Sequence, residues 1–501
     1  MSSPYRSTLR LSSIYAVANL ARRGVQVFLM PFYTAILTVE EFGQLALINL
    51  TVSILSLILA RPVVAGALDR FYYHPKYRRR NDLLLFNAAV FLAAVTAVGV
   101  GAYLLLAGPT TQLLYGDGRL LPLVRQYGLV LLLQSIWGLL QTLVQLREMA
   151  VRYTVASLTA VVASAAVTLA GLLVFDWRIY AVGWGLVTQY AVSIVMYLPV
   201  FLRTARFRLA LGILREPLRF GYPLTPSDIS QLVLRMGDRY VLRAYRPFGE
   251  LGAYSFSYGI AEAAETVLVQ PLILGVEPTI RKMEADPAEQ KRFIRLAATS
   301  YYGLAVSIGL LISLFSRELA MLLGRNPAYW EFAPVIPIIT LAFVQHALGV
   351  FLGWGLIMTN RPYHLSGTMV AGAAATIGLC VLLVPIWGAY GAALGALLAV
   401  VFLNALKMFY SGKYYGLRFE LLRLAHVTVL GVGLYAASLL LPDMTLALLL
   451  PLKLLLVLAM PGLCLLTGAF SAAERQFLAD VLRRFAARVG RLFGRHGDES
   501  R

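Results

Sequence analysis

The chain has 501 residues, of which 59% are hydrophobic and 14% charged, and its mean hydropathy is +0.73. That balance excludes a soluble fold, because a water-soluble chain of this size cannot hide so much apolar surface. The net charge of +19 would point to nucleic acid on a soluble domain, but here it falls between apolar stretches and reads as membrane topology, so no nucleic-acid partner is expected.

Stretches of about 20 apolar residues, the length that crosses a hydrocarbon core of ~30 Å, recur along the chain. In order they lie near residues 10–36, 42–66, 83–107, 120–146, 153–175, 179–202, 219–245, 251–276, 293–316, 332–358, 364–384, 388–410, 421–441 and 446–469. They lack the period-two alternation of a membrane barrel, so the chain reads as an all-α membrane protein with about 14 transmembrane helices. The first apolar run continues to Met30 with no small-residue cleavage site after it, so a cleavable signal peptide is not expected. Cys380 and Cys464 fall inside expected spans, where neither a disulfide nor a metal site is expected. Most of the 44 Lys and Arg lie in loops on one side, including Arg78, Arg79 and Arg80, then Arg203, Arg206 and Arg208, then Lys291, Arg292 and Arg295. The positive-inside rule then puts both termini in the cytoplasm of a bacterial inner (plasma) membrane, with the basic clusters against anionic lipid.

The chain repeats itself. Glu41-Phe42-Gly43 returns 209 residues later as Glu250-Leu251-Gly252, and Arg10 with Arg219 and Arg152 with Arg361 keep the same offset. Gly183 aligns with Gly391 at an offset of 208. Because an even number of spans separates the copies, both halves enter the membrane from the same side, as parallel repeats of a transporter do. The expected organisation is an N-terminal six-helix lobe over 1–208, a C-terminal six-helix lobe over 209–415, two additional transmembrane helices over 416–470 and a cytoplasmic amphipathic basic tail over 471–501. In the tail Phe477, Val481, Phe485, Val489 and Leu492 share one face opposite the arginines, and Ser471 with Glu474 fits a capping box. Asp286-Pro287 is expected to start a shorter helix of the same kind before the ninth span. Gly391 and Gly395, four residues apart, suit a close approach of helices.

Charge at membrane depth is costly and marks function. In the first span Asn19, Arg22, Arg23 and Gln26 share one face, and in the seventh Asp228, Gln231, Arg235, Asp238 and Arg239 follow a single stripe. Ser53 and Ser56 of the second span map by the repeat onto Glu262 and Glu265 of the eighth. These four helices are expected to face one another around a central cavity. Its substrate-binding residues would be Arg22, Arg23, Arg235, Arg239, Asn19, Gln26, Gln231, Asp238, Glu262 and Glu265. The competing reading is mutual neutralisation, Asp238 with Arg235 one turn away and Glu262 with Arg22. Arg61, near the end of its span, reads as a snorkelling side chain, and His346 as a hydrogen-bonded helix contact. There is no nucleotide-binding loop, no H-E-x-x-H and no Cys/His cluster, and the outer loops are short, so neither a cofactor nor an enzymatic activity is expected.

The runs Glu41-Phe-Gly-Gln-Leu-Ala, Ala67-Leu-Asp-Arg-Phe-Tyr-Tyr, Gly237-Asp-Arg-Tyr-Val-Leu, Glu250-Leu-Gly-Ala-Tyr-Ser and Pro385-Ile-Trp-Gly-Ala-Tyr-Gly-Ala-Ala occur in that order between Arg10 and Lys413. Together they resemble the O-antigen and exopolysaccharide flippases of the multidrug/oligosaccharidyl-lipid/polysaccharide exporter superfamily. The resemblance implies two six-helix lobes whose first, second, seventh and eighth helices line a cavity. It also implies a substrate, an undecaprenyl-pyrophosphate-linked oligosaccharide turned to the outer leaflet by alternating access for cell-surface polysaccharide synthesis. Membrane lipids and a polysaccharide polymerase or other assembly proteins would be its partners. A pyrophosphate suits guanidinium groups, whose planar fork of donors matches its oxygens. The two spans beyond twelve give the chain some likeness to the lipid II flippase branch. Two other readings stay open: a cation-coupled multidrug exporter of the same superfamily, using Asp238, Glu262 and Glu265, and a membrane polysaccharide polymerase.

Overall fold

The structure is a computed structural model that describes residues 21–266, 276, 279–359, 362–441, 446–469 and 475–476. Asn19 and, apart from residues 475–476, the basic tail lie outside the described residues.

Local chemistry sets the first boundaries. Residues 21–36 form α1. The Thr38 hydroxyl then accepts from the Glu41 amide at 3.1 Å while the Glu41 carboxylate accepts from the Thr38 amide at 2.8 Å, a reciprocal cap that starts α2 (Val39–Val63). Pro62, which has no N–H to give, sits in the last turn of α2, and the chain widens there into a π-helical turn over Val64–Arg70. The next helices are α3 (Asn81–Leu105), α4 (Leu121–Leu146), α5 (Ala150–Leu173) and α6 (Ile179–Thr204). The seventh expected span is made of shorter helical pieces in succession. A short helix over Arg215–Gly221 leads through a 3-10 turn to α7 (Thr225–Met236), and Gly237 separates it from α8 (Asp238–Tyr245). Helix α9 runs Phe248–Ala264, α10 Pro287–Leu314, α11 Ile336–Met358, α12 Pro362–Tyr415, α13 Leu421–Ser438 and α14 Leu446–Leu466.

Among the described residues, ten helices are long and apolar enough to cross a membrane. The protein is thus all-α and multi-pass. One of the ten, α12, is twice the needed length, and it folds back at Gly388, where φ is 55° and ψ −130°. A Cβ on Gly391 would strike the Leu383 carbonyl, and one on Gly395 would lie 2.8 Å from Cys380 Sγ. The two arms therefore lie side by side, as spans near 364–384 and 388–410 require, and small residues permit their close approach.

The chain divides into two compact units. The first comprises residues 1–263, 319–333 and 369–396. One of its cores buries Tyr72, Leu84, Leu143, Tyr153 and Tyr197, contributed by the segment after α2 and by α3, α4, α5 and α6. Within this unit the repeat is visible as a contact. A Cβ on Gly43 would strike the Phe248 carbonyl, and one on Gly252 would strike the Val39 carbonyl. Each of the four residues is 209 positions from its counterpart, so the contact maps onto itself.

The second unit comprises residues 264–318, 334–368 and 397–501. Its core buries Ile294, Tyr302, Phe351, Leu352, Val427 and Met460 from α10, α11, α13 and α14. The Asp286 carboxylate accepts from the Ala288 and Glu289 amides, both at 3.1 Å, and Pro287 takes the first helical position. This cap does not start a separate short helix, as the sequence suggests. It opens α10 itself, because no breaker stands between Glu289 and the apolar run. Lys453 of α14 pairs with Glu318, which ties one of the two extra helices into this unit.

Candidate functional site

Two arginines from different helices converge on one carboxylate. Arg23 of α1 and Arg235 of α7 place Nη2 3.8 Å and 3.9 Å from the same oxygen of Glu262, on α9. Arg23 also donates to Gln26 at 3.2 Å. The two arginine side chains are about one-third exposed, at 33% and 32%. Distances of 3.8 and 3.9 Å exceed hydrogen-bonding range, so the attraction of both guanidinium groups to Glu262 is that of ion pairs without a formed hydrogen bond. The cluster carries one positive charge in excess.

The adjoining cluster is buried. Asp238, 1% exposed, accepts from its neighbour's amide, Arg239 N–H, at 2.9 Å and from the Tyr254 hydroxyl. The Arg239 guanidinium lies 4.3 Å over the ring of Tyr258, whose hydroxyl donates to the Arg235 carbonyl. Two tyrosines of α9 thus grip the joint between α7 and α8 and fix where Arg235 stands.

These contacts correct three expectations. Asp238 is bonded to Tyr254 of α9 rather than paired with Arg235. Glu262 meets Arg23 and Arg235 rather than Arg22, which makes no ion pair among the described residues. Arg61 does not merely snorkel: Nε donates to Asp228 at 2.7 Å and Nη1 to Asp69 at 3.0 Å, joining α2, its π-helical turn and α7. Of the remaining candidates, Gln26 and Gln231 are exposed and Glu265 is buried. Outside the apolar spans, Lys76 and Tyr77 both bond to Glu216, and the Lys76 bond holds that carboxylate below its usual range.

Tyr254 and Tyr258 are not among the candidate residues that the sequence singled out. Their signal is a stripe with Glu262 and Glu265 at spacings of 4, 4 and 3 along one helix.

Long apolar helices with a polar cluster drawn from α1, α7 and α9 describe a multi-pass membrane protein with charge among its helices. The chain belongs to the polysaccharide biosynthesis protein family, whose model matches residues 34–333, more than half of its length. No curated protein matches it in sequence. Among solved structures it is similar to the lipid II flippase MurJ in an inward closed conformation, with a TM-score of 0.72 and 11% identity over 90% of this chain and 98% of the other. It is also similar to a multidrug resistance MATE family transporter of the MOP superfamily in an inward-facing conformation, with a TM-score of 0.62 and 12% identity over 80% and 94%. A third is a MOP superfamily transporter from Pyrococcus furiosus, described as having a binding pocket of reversed polarity, with a TM-score of 0.55 and 11% identity over 81% and 96%. At such identities the likeness is one of fold.

Proposed function

We propose that the protein is a flippase that moves a polyprenyl-pyrophosphate-linked oligosaccharide across the bacterial inner membrane by alternating access, with both termini in the cytoplasm and the two six-helix lobes as the moving bodies. The observation that carries this reading is the sharing of Glu262 by Arg23 and Arg235. A pyrophosphate brings more negative charge than one carboxylate and suits both forks at once, so it competes for the arginines when bound and returns them to Glu262 when released. Gln26 and Gln231, both exposed, supply amides for the sugar. A cation exporter needs a carboxylate available to its cargo, whereas Asp238 is bonded to Tyr254 and Glu262 faces two arginines. The likeness in fold to a flippase and a transporter supports a carrier rather than an enzyme, with membrane lipids and polysaccharide assembly proteins as its surroundings.

Removing Arg235 alone would leave Glu262 less compensated and confuse folding with transport. The Arg235→Gln, Glu262→Gln double variant removes one arginine and the shared carboxylate together. Lost charge-assisted bonds of about 1.5–3 kcal/mol correspond to a fall in export of roughly tenfold or more. The measurement is leaflet-resolved lipid-linked sugar in a deletion strain complemented at equal abundance. Wild-type export by the double variant would show that the phosphate is held elsewhere.

A further inference from the structure

The second unit holds a charged residue that the reading above does not use. Lys407, in the second arm of α12, is 4% exposed, and its Nζ donates to the Gly349 carbonyl of α11 at 3.1 Å. It is the middle member of a seam. Asn404 Nδ2 donates to the Gln345 carbonyl at 2.7 Å, and Ser411 Oγ donates to the Leu352 carbonyl. Gly349 makes room for the seam, since a Cβ there would strike Asn404 Oδ1 and come within 3.4 Å of Lys407 Nζ. Gln345 continues the network to the Tyr302 hydroxyl at 2.8 Å, which meets Thr428 Oγ1 at 2.6 Å.

Neutral donors suffice at 404 and 411, so a lysine between them brings a charge that the seam itself does not need. Helices α11 and α13 and the second arm of α12 contain no Asp or Glu, and α10 has only Glu289, in its first turn. The other titratable and charged groups on these elements are Lys291, Arg292, Arg295, Tyr301 and Tyr302 on α10, His346 on α11, Arg423, His426 and Tyr435 on α13, and Tyr390, Tyr410, Lys413, Tyr414 and Tyr415 on the arm itself. Among the described residues Lys407 has no ion pair, and its one hydrogen bond is to Gly349. A buried ammonium without counter-charge or water is costly, whereas an amine donating to a carbonyl is not. A second observation points the same way. Asn404 Oδ1 is buried with no hydrogen-bond partner, and it borders the same point beside Gly349 as Lys407 Nζ. It is an unused acceptor at the same opening, for which the N–H donors of an ammonium are stronger partners than those of an amine.

We propose that Lys407 is a proton-binding site that exchanges one proton with water in each transport cycle. This rests on the transporter reading above. When the seam between α11 and the arm parts and water enters, the amine takes a proton. When it closes, that N–H bond breaks, the electron pair stays on Nζ and the proton leaves to water. Proton entry and helix movement are thereby coupled.

The test uses the full chain in vesicles of phosphatidylethanolamine and phosphatidylglycerol, with a fluorescent polyprenyl pyrophosphate as probe. The readout is the rate of leaflet exchange with an imposed pH gradient divided by the rate without it. Wild type should give a ratio of several-fold, and both Lys407→Met and Lys407→Gln a ratio near one; the Gln variant keeps a donor for Gly349 if Met fails to fold. A wild-type ratio of one, or variants that match wild type, overturns the proposal. Failure of the wild type to move the probe counts against the transporter reading, and a substrate-free measurement then decides the site. The melting temperature of wild type relative to Lys407→Gln should rise with pH, because folding releases the proton. A difference that stays flat with pH overturns the site.

Discussion

At Arg178, ahead of α6, the backbone takes φ 45° and ψ −122°; at Gly388, 210 residues later, it takes φ 55° and ψ −130°. Both turns reverse the chain into a helix, and in both a glutamate from the Glu41/Glu250 pair bonds to the reversal. The means differ. Glu41 reaches the Arg178 side chain, accepting from Nε at 3.0 Å and Nη2 at 2.9 Å. Glu250 reaches backbone, accepting from the Ala389 amide at 2.6 Å, while Arg246 Nη2 donates to the Pro385 carbonyl at 3.1 Å. A conformation that favours glycine costs any other residue about 1–3 kcal/mol, and an exposed ion pair contributes about 0.2–1 kcal/mol. The Arg178 pair therefore does not offset its own strain. The first turn is held by the packing of α5 on α6, where a Cβ on Gly171 would lie 2.8 Å from Ala181 Cβ. The second turn is held by its own local bonds.

Making the second turn like the first should have the largest effect. In Gly388→Arg the new Cβ strikes the Glu250 carboxylate and the backbone becomes strained, so a loss of about 2 kcal/mol or more is expected in thermal melts of the detergent-solubilised protein. A melt unchanged from wild type would mean that the turn relaxes freely. Glu250→Ala should come next, at about 1 kcal/mol, the usual loss when a side chain stops satisfying an amide at a helix start. The smallest effect belongs to Arg178→Gly, which removes strain and an exposed pair together. It should shift stability by less than about 1 kcal/mol, toward greater stability. A clear destabilisation would show that the Glu41–Arg178 fork does more than the comparison allows.

The repeat was legible in sequence because glycine and glutamate at a fixed offset have few substitutes where backbones touch and turns need an acceptor. Gly391 and Gly395 were legible for the same reason. The 3-10 turn at Tyr222–Leu224 ahead of α7 was not, since it leaves the polar stripe's periodicity intact. The arginine stripes located Arg23 and Arg235, but their partner was misread, because the choice between Asp238 and Glu262 depends on how α9 packs. Lys407 gave no signal at all. A lysine eight residues before Tyr415 reads as one that snorkels from a span end, and its burial requires α11 to be in place.

The contact between Gly43 and Gly252 has an evolutionary consequence. Val39 and Phe248 offer their carbonyls to the opposite glycine, so exchanging the halves reproduces the same interface. That is the isologous form that two identical subunits make about a two-fold axis. A gene encoding only one half would already have carried both sides of this contact, and its product would have met it as a homodimer. In a chain made of two fused copies each copy is free to diverge away from that contact, and Arg178 and Gly388, or Ser53 and Glu262, differ where the paired glycines are alike.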